Sequence, residues 1–203
     1  KWVATGSWDK TARVWEVATG REVARLAHDE NVTAVAFSPD GSLLATASLD
    51  RTIKIWATSS WTVQQTLTGI GSGVASVAFS PDGKYVVSGS GDGTARVWET
   101  SAGVGVARIA HDNVVYAVAF SPDGKTLASA TSDVHSVLKQ WDVASGTELR
   151  TLSPEDSVLD IAFSPDGKIL ASGSKDTVRL WDVATAQPRG APLTGHEAWV
   201  SSV

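Results

Sequence analysis

Short runs of alternating apolar and polar residues, broken by turn-forming clusters, make up most of this chain. Val32–Phe37 alternates and is followed by Ser38-Pro39-Asp40-Gly41, where proline presets φ for a type I turn and glycine accepts the left-handed position after it. Leu43–Ser48 reads as a second strand, Leu49-Asp50-Arg51 as a tight connection and Thr52–Trp56 as a β-branched third strand. After the polar stretch 57–60, Val63–Leu67 supplies a fourth strand with period two. No segment keeps a 3.6-residue period, so an all-β chain is predicted.

The same sentence is spelled out repeatedly. Phe-Ser-Pro-Asp-Gly begins at Phe37, Phe79, Phe120 and Phe163, at spacings of 42, 41 and 43 residues. A tryptophan closes the third strand at Trp15, Trp56, Trp98, Trp141 and Trp181, at spacings of 41, 42, 43 and 40. Two independent landmarks with one period define a repeat, and four antiparallel strands per period form a blade rather than a solenoid coil.

These residues resemble the WD-repeat family. The closing pairs are Trp15-Glu16, Trp56-Ala57, Trp98-Glu99, Trp141-Asp142 and Trp181-Asp182, only two of them literally Trp-Asp, and the turn aspartates are Asp9, Asp50, Asp92, Asp133 and Asp176. The resemblance covers essentially all of residues 1–203 and implies a β-propeller of about five four-stranded antiparallel blades. It also implies a buried network of His, Ser or Thr, Asp and Trp within each blade. Carried over by position, the network is His28, Ser48, Asp50 and Trp56 in the second repeat, and His111, Thr131, Asp133 and Trp141 in the fourth. The third repeat has Ile70 and the fifth Pro154 at the histidine position, so their sets (Ser90, Asp92, Trp98 and Ser174, Asp176, Trp181) are expected to be truncated and weaker.

The chain starts out of phase: Trp2–Ser7 matches a second strand, Ala12–Trp15 a third and Glu22–Leu26 a fourth, whereas Trp199–Val203 matches a first strand. Two readings follow. Either the terminal strands join, which closes a ring and completes a network of His196 with Ser7, Asp9 and Trp15, or the repeats are a segment of a larger propeller. A closed ring predicts a monomer, an open one a possible homo-oligomer. Methionine is absent, which is expected of an excerpt or of a processed or engineered product.

Composition and chemistry change this picture little. A net charge of −5 without a basic cluster argues against nucleic acid as a partner. Cysteine is absent, which removes disulfides and thiolate chemistry and fits a reducing compartment, so a cytoplasmic location is expected. No apolar run reaches membrane-spanning length, and no membrane partner is expected. The four histidines share no metal-ligand spacing; three have network posts, and His135 lies in the insertion 132–137. Gly69–Gly73 resembles a phosphate loop but precedes a strand where a helix N-terminus is required. Gly89–Gly93 resembles a calcium loop but fills the slot of the ordinary Asp turn, and the Ser–Asp–His sets recur periodically where a catalytic triad needs one asymmetric site. No enzyme activity, cofactor or metal is expected.

The remaining candidate is the surface. The upper end of a propeller is built from second-to-third and fourth-to-first connections. This places Trp8, Leu49, Gly91, Ser132 and Lys175 there, together with residues three and five beyond each histidine position, among them Tyr116, Leu159 and Trp199. Trp8, Tyr116 and Trp199 stand out as interface anchors, Trp8 and Trp199 being in one blade if the ring closes. Leu49, Leu159 and Lys175 complete the candidate contact set for a protein or peptide partner. Trp61 points toward the other end and is assigned to packing.

Overall fold

The computed structural model describes residues 1–132, 136–154 and 156–203. The described residues form five antiparallel sheets, each a meander of consecutive strands. The first holds β1 (Trp2–Gly6), β2 (Thr11–Glu16) and β3 (Glu22–Ala27); the second β4 (Val32–Phe37), β5 (Leu43–Ser48), β6 (Ile53–Ala57) and β7 (Thr62–Leu67). The third is β8 (Val74–Phe79), β9 (Tyr85–Ser90), β10 (Thr94–Glu99) and β11 (Gly105–Ala110). The fourth is β12 (Val115–Phe120), β13 (Thr126–Thr131), β14 (Leu138–Asp142) and β15 (Glu148–Leu152). The fifth is β16 (Asp160–Phe163), β17 (Ile169–Gly173) and β18 (Val178–Asp182), with isolated bridges Trp181–Pro188 and Val178–Leu193 where a fourth strand would run.

Turn chemistry sets the first corner of each repeat. Gly41 N–H donates to the Ser38 carbonyl at 2.9 Å with Gly41 at φ 72°, and the Ser38 hydroxyl donates to Asp40 Oδ1 at 2.6 Å. The turns at Ser80, Ser121 and Ser164 repeat this hydroxyl–carboxylate bond. The outer strand of each of the first four sheets carries a bulge opposite the closing tryptophan's neighbourhood: pairing shifts at Val14/Trp15, Ile55/Trp56, Val97/Trp98 and Gln140/Trp141.

The apolar interior lies in the four joints between sheets. Ala12 and Val14 pack with Trp56, Ile53 and Ile55 with Trp98, Ala95 and Val97 with Trp141, and Leu138 with Trp181. Each closing indole therefore plugs the joint to the sheet before it, and Trp15 of the first sheet is only half-buried. Close approach requires small residues on the second strands. A Cβ on Gly89 would lie 2.8 Å from the Val115 carbonyl oxygen of the next sheet, and one on Gly6 would lie 3.1 Å from Val32 Cγ1.

Two expectations need correction here. Residues 199–203 form no strand, and β1 pairs with β2 alone. The C-terminal segment docks on the fifth sheet instead: Val200 N–H donates to the Ser174 carbonyl at 2.8 Å, as Val32 N–H does to Ser7 at 3.0 Å, and Val203 N–H donates to Asp160 Oδ2. Val200 thus stands to Gly173 as Val32 stands to Gly6, in the next repeat position along the stack rather than back beside β1. Trp61 takes the packing role expected of it, edge to face with Trp2 at 5.2 Å between centroids.

Candidate functional site

The buried networks are built from a hydroxyl that the repeat pattern misassigned. Trp56 Nε1 donates to Thr46 Oγ1 at 2.9 Å, and the same hydroxyl meets His28 Nε2 at 2.7 Å. Ser48 instead accepts from Asp50 N–H and donates to the Glu30 carbonyl, both at 3.0 Å. In the fourth sheet Ser129, not Thr131, joins Trp141 Nε1 and His111 Nε2, each at 2.8 Å, while Thr131 Oγ1 accepts from Val137 N–H. Thr5 rather than Ser7 accepts from Trp15, Ser88 rather than Ser90 from Trp98, and Ser172 rather than Ser174 from Trp181. The reason is register. Leu44 lies directly opposite Trp56, so Thr46 is its diagonal neighbour, whereas Ser48 lies at the turn beyond the indole's reach. The fourth-repeat call on Asp133 lies outside the described residues, as does His135.

His28 Nδ1 meets Asp50 Oδ2 at 2.8 Å. Burial pushes the His28 imidazole below its ordinary value in spite of that carboxylate. Burial also opposes ionisation of Asp50, yet bonds from Thr52, His28 and the Asp29 amide outweigh it and hold the carboxyl below the usual range. His111 is pushed down to about 4 by burial, reinforced by the Lys139 ammonium. His196 is exposed and takes no part in a network with Ser7, Asp9 and Trp15, because its segment docks on the fifth sheet.

The third repeat lacks the imidazole as expected, but its aspartate finds other partners. Where Ile70 replaces histidine, Asp92 Oδ2 accepts from Gly71 N–H at 2.8 Å and from Arg96 Nη2 at 3.0 Å, and Arg96 Nη1 donates to the Gly69 carbonyl. The first sheet uses the same device, Arg13 Nη2 to Asp9 Oδ2 at 2.9 Å. Repeats that have the histidine place a lysine there, and Lys54 and Lys139 lie over Trp56 and Trp141 at 5.9 and 5.3 Å from the ring centroids. The signal was visible as Thr-Ala-Arg-Val-Trp-Glu, which is identical in β2 and β10.

The surface candidates divide clearly. Trp8 is 81% exposed, Trp199 56%, Leu49 47% and Tyr116 42%; Lys175 is exposed and Leu159 half-buried. Tyr116 is turned outward by a bulge, because pairing with β13 skips from Val115 to Ala117. Leu49 N–H donates to the Asn31 carbonyl, and Leu49 lies against Gly73 of the next repeat, where a Cβ would come within 2.7 Å of Leu49 Cδ2. Lys175 and Trp199 flank the Ser174–Val200 bond, so Trp199 joins the fifth sheet and not the blade of Trp8. Among the described residues no group of three or more His, Cys, Asp or Glu is placed to hold a metal ion, and no helix is long and apolar enough to cross a membrane.

Five meandering sheets, stacked joint to joint and each closed by a tryptophan, define a repeat protein of the β-propeller class. The family model for the WD domain, G-beta repeat, matches residues 1–16, 20–57, 61–99, 105–142 and 146–182, and the chain belongs to the WD-repeat family. It is similar to a coronin-like protein of Saccharomyces cerevisiae, 39% identical over 54 residues (27% of this chain, 8% of that protein). It is similar to periodic tryptophan protein 2 of Arabidopsis thaliana, 40% identical over 68 residues (33% and 8%), and to small ribosomal subunit protein RACK1y of Oryza sativa subsp. japonica, 40% over 55 residues (27% and 16%). The matches span less than a fifth of each relative's length.

Proposed function

We propose that the chain is a non-catalytic, cytoplasmic protein-interaction platform that presents the end carrying Trp8, Leu49, Tyr116, Leu159, Lys175 and Trp199 to a segment of a partner protein. Membership of a repeat family whose fold recurs among otherwise different proteins supports the class. One observation carries the face: the position before each turn aspartate holds an unlike side chain (Trp8, Leu49, Gly91, Ser132 and Lys175), and the tryptophans Trp8 and Trp199 stand exposed, while the interiors of the joints stay alike. Large exposed aromatics act as anchors in interfaces. The hydroxyl–imidazole pairs support the absence of chemistry, since Thr46 and Ser129 are buried and already bound to indoles.

The test is affinity capture of a partner followed by titration calorimetry with Trp8→Ala and Trp199→Ala. Each variant is expected to weaken binding about tenfold or more with an unchanged melting temperature. Unaltered affinity in both would refute the rim as the contact face. A second reading, assembly with another copy, draws on β1, which pairs with β2 alone and carries the exposed Val3. A sedimentation mass twice the 21.2 kDa of the chain would favour it.

A further inference from the structure

The end of the molecule opposite the rim is built from the Ser-Pro-Asp-Gly turns and the loops that follow each third strand. Three adjoining concavities of about 580, 570 and 270 Å³ open there across the second, third and fourth sheets, and Tyr85 lines all three. Tyr85 opens β9 as Trp2 opens β1, whereas β5, β13 and β17 open with Leu43, Thr126 and Ile169, so among the middle three sheets only the third carries an aromatic here. Its backbone is clamped to Ser80, with the Tyr85 N–H donating to Ser80 Oγ at 2.9 Å and the Ser80 N–H to the Tyr85 carbonyl at 2.8 Å.

Charge and an orphaned hydroxyl give this surface a chemistry. Asp82, Glu99, Asp123 and Asp142 line the concavities against Lys84 and Lys125, an excess of two negative charges. The Ser80, Ser121 and Ser145 hydroxyls hold the three aspartates below the usual carboxylate range, so the excess persists at neutral pH. Thr100 lines the 580 Å³ concavity and is 8% exposed, and its hydroxyl oxygen is closed off from solvent with no hydrogen-bond partner among the described residues. The corresponding Thr58 of the preceding repeat donates to the Gly41 carbonyl at 2.8 Å. A buried hydroxyl left unsatisfied costs about 1–3 kcal/mol, a cost that is removed when the Thr100 side chain turns toward a polar group seated in the concavity.

We infer that this face is a second binding surface, for an extended peptide segment that carries a lysine or arginine beside an apolar residue. The apolar side chain lies over Tyr85, the cation sits at Asp82, which lines two of the concavities between Glu99 and Asp123, and Thr100 turns its hydroxyl toward a main-chain polar group of the peptide. The surface is separate from the rim and does not depend on it.

A phage-displayed dodecapeptide library, selected on the chain and counter-selected on Tyr85→Leu, tests the assignment. Leucine is the residue that β5 carries at this position, so the variant keeps its packing. Enriched sequences are expected to be basic with an adjacent apolar residue. A synthetic peptide of that sequence is expected to bind about tenfold more weakly to Tyr85→Leu and to Thr100→Val, and equally to Trp8→Ala. Acidic enriched sequences, no clone that distinguishes the two proteins, or binding lost in Trp8→Ala would each overturn it.

Discussion

Gln140 places a carboxamide where the other repeats carry Val14, Ile55, Val97 and Leu180. It is 1% exposed, and neither its oxygen nor its nitrogen has a hydrogen-bond partner among the described residues. Replacing both groups by hydrocarbon removes an unmet desolvation cost, so Gln140→Leu is expected to stabilise the fold by about 1–3 kcal/mol in a denaturant titration. His111 supplies the opposite kind of residue, one whose burial is answered by a partner. Its folded value of about 4 lies below the ordinary 6.5, so the unfolded chain binds more protons between those two values. Stability therefore rises with pH across that window, and acidifying from about pH 7 to about pH 4.5 is expected to cost about 1–3 kcal/mol at this site. Melting temperatures of His111→Gln over the same range should show a shallower dependence, with His28 contributing the remainder in the same direction. The tryptophans, the turn aspartates Asp9, Asp50 and Asp92 and the histidines His28 and His111 were legible in the sequence, but the hydroxyl partner was not. Every repeat offers two hydroxyls on one strand face, such as Thr46 and Ser48, and only the pairing register decides which of them lies within reach of the indole.

Within single sheets, an arginine can stand in for the missing imidazole. In the third repeat Arg96 holds Asp92 with both side chains largely shielded from water, at 18% and 13% exposure. Arg96→Ala is expected to destabilise by about 1–3 kcal/mol, with a double-mutant cycle against Asp92→Asn returning a coupling of about 1 kcal/mol or more. The matching Lys54→Ala should cost less, because His28 already holds Asp50. Glycine at the crossing of two sheets is equally demanding: Gly89→Ala would drive a methyl group into the Val115 carbonyl and is expected to cost about 2 kcal/mol or more by the same measurement. The strands themselves were readable to within a residue or two, since alternation and turns are local. The path of residues 199–203 was not, because the same five residues can extend a stack or return to its start, and local pattern is the same in both.

Across the whole chain, contact passes from each sheet to its neighbour: β1 with β4, β4 with β8, β8 with β12, and β12 with β16. Such a stack has nearest-neighbour energetics, and within residues 1–203 the first and fifth sheets each share one joint with a neighbouring sheet. Amide hydrogen exchange is therefore expected to open the first and fifth sheets before the middle three, with Trp98 and Trp141 in the most protected joints. The bulges on β3, β7, β11 and β15 bear on a different matter, the behaviour of many copies together. These outer strands leave a margin of main-chain donors and acceptors on which a foreign strand could crystallise, the first step toward a fibril. An extra residue in each margin (Val23, Gln64, Val106 and Leu149) throws the spacing of those groups out of step, so an added strand finds no continuous ladder to copy. The bulges that lie opposite four of the closing tryptophans thus also keep crowded molecules from templating one another.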